Sequence, residues 1–221
     1  MKQPAWTRAQ EEIFQDFCQQ EGVKESTMHQ WRTYAQMLIA TNEITNLTAI
    51  TDVKNIIRYH FQDSLALQHY VSLDTISCIA DVGTGAGFPA LPLKIQFPHL
   101  RVVLIEVNQK KVSFLQEVAR ALNLSDIEYY TDDWRTFLRK TEYAIDLFCS
   151  RASLAPEELI RMFQPSCRYK EGRMVYWGSI HWEASSKVTP FLQQEKQYTI
   201  ENRKGKLVFL ENKNKTQESN S

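Results

Sequence analysis

Asp81-Val82-Gly83-Thr84-Gly85-Ala86-Gly87-Phe88-Pro89 stands where an apolar run, Ile76 to Val82, gives way to a helical pattern through Leu91, Lys94 and Ile95. The run has the length and composition of a buried strand. Alternating glycines permit positive φ and let another group approach the backbone with no Cβ in the way. Strand, glycine turn and helix in that order open an α/β unit. The turn alone demands glycine, and a ligand is one reason among others for it.

The chain on either side extends the pattern. Downstream, Arg101 to Glu106 reads as a second strand, rich in β-branched residues. From Lys110 to Leu122, Val112, Leu115, Val118, Ala119 and Leu122 share one helical face. Ile127 to Tyr130, Ala144 to Cys149, Arg173 to Tyr176, Gln197 to Ile200 and Lys206 to Leu210 read as further strands. The alternation predicts a Rossmann-like α/β fold with a mostly parallel sheet. The last two strands have no helix between them, which predicts an antiparallel edge hairpin.

Upstream, helical spacing recurs in Ile13, Phe14 and Phe17, in Trp31, Tyr34, Ala35, Leu38 and Ile39, and from Ile56 to Leu67. Gly22 is the one glycine of this region, so it reads as a helical cap. The expected organisation is a cap over residues 1–70, a core over 71–210 and a disordered tail over 211–221, where almost nothing apolar remains to bury.

Glu106 ends the second strand about twenty residues after the loop, where an acid can accept hydrogen bonds from both hydroxyls of a ribose. The glycine spacing is G-x-G-x-G and not the G-x-G-x-x-G of pyrophosphate-binding loops. Gly83, Gly85, Gly87 and Glu106 therefore suit S-adenosylmethionine, which carries a ribose but no phosphate. Asp132-Asp133-Trp134-Arg135 follows the third strand, where such folds enclose an adenine. Trp134 fits either a wall of that pocket or the ordinary core.

Composition narrows the classes. The chain has 221 residues, 43% hydrophobic and 24% charged, enough to bury one core without staples. It has no apolar run long enough to span a bilayer, and its first residues lack the apolar stretch of a signal peptide, so a cytoplasmic protein with no membrane partner is expected. Cys18, Cys78, Cys149 and Cys167 are scattered, and the five histidines form no ligand pair, so no metal is expected. The 26 basic and 26 acidic residues balance, which neither requires nor excludes nucleic acid.

Longer stretches carry a specific resemblance. Asn46-Leu47-Thr48-Ala49-Ile50 precedes Tyr59-His60-Phe61-Gln62-Asp63-Ser64-Leu65, and the glycine loop continues to Leu93. Lys110 to Leu115 and Ser150-Arg151-Ala152 follow. Together these resemble the glucose-inhibited division protein B family of class I methyltransferases, which modify guanine N7 in small-subunit (16S) ribosomal RNA. The resemblance implies that Gly83 and Phe88 contact S-adenosylmethionine, that Trp134 and Arg135 border its adenine, and that Arg151 lies at the active site. His60 and Asp63, three apart on one helical face, are expected at the substrate mouth. A guanidinium at Arg151 suits a methionine carboxylate or an RNA phosphate. A basic rim from Arg58, Lys94, Lys110 and Lys111 is expected to face ribosomal RNA or the small subunit, with the protein a monomer. The chain departs from the family at Glu106, Arg135 and Trp177, where Asp, Glu and Lys are usual. Other readings are a dinucleotide oxidoreductase, a methyltransferase of a small molecule or protein, and a non-catalytic relative that binds a partner through its cap.

Overall fold

The computed structural model describes residues 6–212. Helix α1 (Arg8–Glu21) starts in a capping box: Thr7 Oγ1 accepts from Gln10 N–H, while Gln10 Oε1 accepts from Thr7 N–H (2.8 Å). It stops at Gly22, whose φ of 64° is left-handed. Helix α2 (Met28–Asn42) follows. Then α3 (Val53–Ile56), capped by the Asp52 carboxylate, runs through a π-helical segment, Ile57–Gln62, into α4 (Asp63–Leu65). The wider turn shows where Asp63 N–H reaches back to Arg58 O. Such turns recur at functional sites because they re-aim side chains. The π turn replaces α-helical spacing between His60 and Asp63, and both side chains still line one cleft, bridged by Arg151.

Phe14, Phe17, Trp31, Tyr34 and Phe61 fill the middle of these helices, in edge and offset contacts 5.1–6.2 Å apart. Their apolar cluster is continuous with Leu91, Ile79, Leu104 and Val175 of the following elements. The helices therefore share one core with the sheet.

That sheet has seven strands: β1 (Cys78–Val82), β2 (Arg101–Ile105), β3 (Ile127–Tyr130), β4 (Leu147–Arg151), β5 (Arg173–Ser179), β6 (Leu192–Ile200) and β7 (Arg203–Glu211). Their order is β3-β2-β1-β4-β5-β7-β6, the first five parallel and β7 antiparallel between β5 and β6. Helices α5 (Ala90–Gln96), α6 (Gln109–Ala121), α7 (Trp134–Lys140) and α8 (Pro156–Leu159) connect the strands. The α/β reading and the edge hairpin hold. Strand β4 begins three residues later than its apolar run suggests. Asp146, inside that run, instead accepts from Ser77 and Cys78 N–H (2.8 and 2.9 Å) and ties the strand starts together. Glu211 belongs to β7 and Asn212 is also described, while 213–221 of the expected tail lies outside the described residues. Among the described residues, no helix is long and apolar enough to cross a membrane.

The strand order reverses between β1 and β4. In open α/β sheets the loops part at that point and leave a crevice at the carboxyl ends of the strands.

Candidate active site

The crevice is a cleft of ≈ 1470 Å³, walled by the glycine loop, the ends of β2, β4 and β5, the 59–63 turn and the β6–β7 hairpin. Gly83 and Thr84 N–H both donate to Ile105 O (2.9 and 3.2 Å), so the loop is bolted to the end of β2. Its three glycines have different tasks. A Cβ on Gly83 (φ +70°) would lie 2.3 Å from Ser153 Cβ, and one on Gly87 would lie 2.6 Å from both Leu91 Cδ1 and Tyr34 Oη. At Gly85 (φ +60°) the nearest atom would be Gly83 O, 4.0 Å away. Gly83 thus admits the chain after β4, Gly87 turns toward the cap and off the cleft wall, and Gly85 leaves open space in the cleft.

Glu106 is buried, with Oε2 accepting from Gly85 N–H (3.0 Å) and Oε1 from Asn108 N–H (2.9 Å). Two of a carboxylate's four acceptor positions remain for a ligand. Trp134 lines the cleft, but its ring packs against Phe137 and Phe148 and its Nε1 donates to Glu158 O (3.0 Å), so it is largely core. Arg135 turns to Glu158, 2.8 Å away. Beneath the loop, Asp81 Oδ2 accepts from Thr84 Oγ1 (2.7 Å) and Ala90 N–H (3.2 Å), while the buried Oδ1 has no hydrogen-bond partner among the described residues.

Opposite the loop, Arg151, His60 and Asp63 form one cluster. Arg151 Nη1 donates to Asp63 Oδ2 (2.8 Å) and Tyr59 O (3.2 Å), and Nη2 to His60 Nδ1 (2.9 Å). The guanidinium lies 5.0 Å from the Phe88 ring centre, and Phe88 stacks on His60 at 4.3 Å. Ala152, at φ 53°, turns the chain so that Arg151 reaches the cap while Ser153 Oγ donates back to Val82 O (2.6 Å). The fork of Arg151 is thus largely occupied inside the protein.

Three residues not expected at the site complete this wall, Trp177 having stood out only as a departure from the family. Tyr198 of β6 donates to Asp63 Oδ1 (2.6 Å), Trp177 Nε1 to Asp63 O (2.9 Å), and Thr48 Oγ1 meets His60 Nε2 at 2.8 Å. Thr48 lay within a quoted motif, but nothing local marks Tyr198, 135 residues from Asp63. The expected basic rim is corrected. Lys94 is buried and donates to Pro98 O and Leu100 O (both 2.7 Å), because two carbonyls replace its water. Arg58 is buried against Glu201 and Gln62. Lys110 is off the cleft wall, whereas Lys111 lines it together with Arg203 and Lys204 from the hairpin.

Two buried groups set an opposed pH response. Burial, then Arg151 and Arg203, pushes His60 from 6.5 down to about 3, so its share of stability is lost as pH falls below 6.5. Burial pushes Asp81 from 3.8 up to about 7, so its share is present at low pH and lost as pH rises toward 7. Between about pH 4 and 6.5 the two slopes cancel. In His60→Gln the urea-unfolding free energy, relative to the parent, is expected to fall by about 1.4 kcal/mol per unit of rising pH across that window. Parallel curves would show that His60 is not buried as a neutral ring.

The family model described as rRNA small subunit methyltransferase G (GidB) matches residues 27–204. A protein of Bacillus pumilus named ribosomal RNA small subunit methyltransferase G is 39% identical over 150 residues, 67% of this chain and 62% of the relative. One of Listeria monocytogenes with the same name is 37% identical over 158 residues, 70% of this chain and 66% of the relative. The matched stretch thus spans just under two thirds of these relatives. Among solved structures, MtNAS in complex with MTA and tNA superposes with a TM-score of 0.57 at 14% identity, covering 92% of this chain and 75% of that one. A variant of MtNAS in complex with S-adenosylmethionine gives 0.56 at 14% identity, covering 92% and 78%. TrmN from Thermus thermophilus gives 0.50 at 18% identity, covering 71% and 53%. These likenesses carry the fold. With a family model matched from the second helix to the final hairpin, the chain belongs to the GidB family of rRNA small subunit methyltransferase G proteins.

Proposed function

We propose that the protein transfers a methyl group from S-adenosylmethionine to guanine N7 in small-subunit ribosomal RNA. The observation that carries this reading is the single cleft shared by the Gly85–Glu106 corner and the Arg151–His60–Asp63 cluster, in a chain of this family. The residues fit an adenosyl ligand. Gly85 leaves space at the loop, and Glu106 keeps acceptor positions for ribose hydroxyls.

Gly83, Gly85, Phe88, Glu106 and the 132–135 turn would hold the cofactor, with Gly87 acting from behind by keeping the loop against Tyr34. When bound, S-adenosylmethionine supplies a methyl on a sulfonium: a bond from N7 to the methyl carbon forms as the carbon–sulfur bond breaks, leaving a neutral thioether and a cationic base. N7 already carries a lone pair, so no residue has to remove a proton. The chain's task is placement and exclusion of water. Arg151 locks the 59–63 turn to β4, and Phe88, stacked between His60 and Tyr34, holds His60 in the cleft wall. Lys111, Arg203 and Lys204 offer charge to phosphates at the mouth. The cleft is completed by cap, sheet and hairpin of one chain, which supports a monomer, and ribosomal RNA as the substrate would place it in the cytoplasm. Of the expected cap, the described residues 6–70 would cover the site, and 71–210 would serve as the cofactor-binding core.

The test is to mix the protein and methyl-labelled S-adenosylmethionine with ribosomal RNA or small subunits lacking the modification. Label is expected at N7 of guanine in small-subunit RNA. Cofactor binding with no label on any RNA would overturn the substrate.

A further inference from the structure

The direction of every hydrogen bond in the Arg151 cluster follows from its chemistry. A guanidinium only donates, so His60 Nδ1, 2.9 Å from Arg151 Nη2, must accept. A neutral imidazole then carries its one proton on Nε2, which faces Thr48 Oγ1 at 2.8 Å and donates to it. Ile50 N–H donates to the same oxygen (3.1 Å). Both lone pairs of the Thr48 hydroxyl are therefore engaged. Its own proton has no acceptor among the hydrogen bonds of the described residues, and Thr48 lines the cleft. The order is held from the far end, because Asp63 takes Arg151 on one oxygen and Tyr198 on the other. Since Arg151 stays charged, the chain of bonds cannot reverse. Thr48 offers the cleft a donor and no acceptor.

A purine read at the edge beside N7 shows either a carbonyl oxygen at C6, as guanine does, or an amino group, as adenine does. Only the first can accept from a fixed donor. We propose that Thr48 selects the base to be methylated, its Oγ–H donating to the C6 carbonyl oxygen next to the reacting N7. This rests on the guanine-N7 reading above. An amino group there would set donor against donor and leave both unpaired in a dry site, which costs more than a missing bond. The base becomes cationic during transfer and its C6 oxygen a poorer acceptor, so Thr48 serves recognition more than rate.

The test uses small-subunit RNA fragments bearing guanine, hypoxanthine (C6 oxygen kept) or 2,6-diaminopurine (C6 amino) at the methylated position. The parent protein is expected to methylate the first two at similar kcat/KM and diaminopurine about a hundredfold more slowly. Thr48→Ser keeps that ratio. Thr48→Val lowers the guanine rate and shrinks the ratio to about tenfold or less, with S-adenosylmethionine affinity as the check that it folds. A purely structural Thr48 would slow both bases alike, and an unchanged ratio in Thr48→Val overturns the proposal while leaving the methyltransferase reading intact. No label on any of the three RNAs from the parent protein would overturn that reading, and this one with it.

Discussion

Arg151→Ala is expected to reduce methyl transfer at least about a hundredfold, the scale at which loss of positioning alone acts. Arg151 is 13% exposed and its partner Asp63 20%, so removing the guanidinium strands a largely buried carboxylate. It also frees Tyr59 O and His60 Nδ1 and takes the cation from the face of Phe88. Breaking a pair this enclosed costs about 3 kcal/mol, visible as a lower midpoint in urea at unchanged slope. Because the residue joins β4 to the 59–63 turn, turnover should fall further than S-adenosylmethionine affinity. Arg151→Lys should recover little, since one ammonium on a flexible stem does not span Asp63, Tyr59 and His60 together. Full activity in Arg151→Lys would show that charge alone, and not the fork, is what the site needs.

The glycine loop yields the second large effect, as a contrast. Gly83→Ala forces a side chain into φ +70° with Ser153 Cβ 2.3 Å away, in a segment bolted to β2. Strain and overpacking together should destabilise the protein by about 3 kcal/mol and abolish activity by displacing the 151–153 turn. Gly85→Ala meets no protein atom closer than 4.0 Å, so the left-handed φ is its main folding cost, about 1–2 kcal/mol. Its methyl group would occupy cleft space, and cofactor affinity should drop at least tenfold. Calorimetric titration with S-adenosylmethionine beside urea melts separates the two. Equal stability losses with equal affinity would mean that Gly85 serves the packing of the loop and not the cofactor.

Local pattern carried much of the fold. An apolar run into a glycine turn marked β1, alternation marked the parallel sheet, and the near absence of glycine marked the helical cap. Ile127 to Tyr130 coincides with β3 because strand propensity and turn signals there agree. The π turn at Ile57–Gln62 was illegible, because its hydrogen-bond shift leaves no periodicity of its own. The candidate site was legible where a motif fills one wall of the cleft, as with Gly83, Gly85, Phe88 and Arg151. It was not where a residue's role depends on what comes from elsewhere. Lys94 looked like a surface cation until the carbonyls of Pro98 and Leu100 enclosed it, and Trp134 fitted pocket wall or core alike until Phe137 stacked on its ring and Phe148 met it edge to face.

The sequence by itself determined the strand–glycine–helix opening, the acid after β2 and the family-like stretches, since each is a property of residues near one another in the chain. Only the tertiary structure decided which glycine leaves open space in the cleft and that Tyr198, Asp63, Arg151, His60 and Thr48 share one connected line of hydrogen bonds, each with a fixed donor. Hydrogen-bond direction and side-chain burial are set by partners brought from distant segments, and no spacing along the chain encodes them.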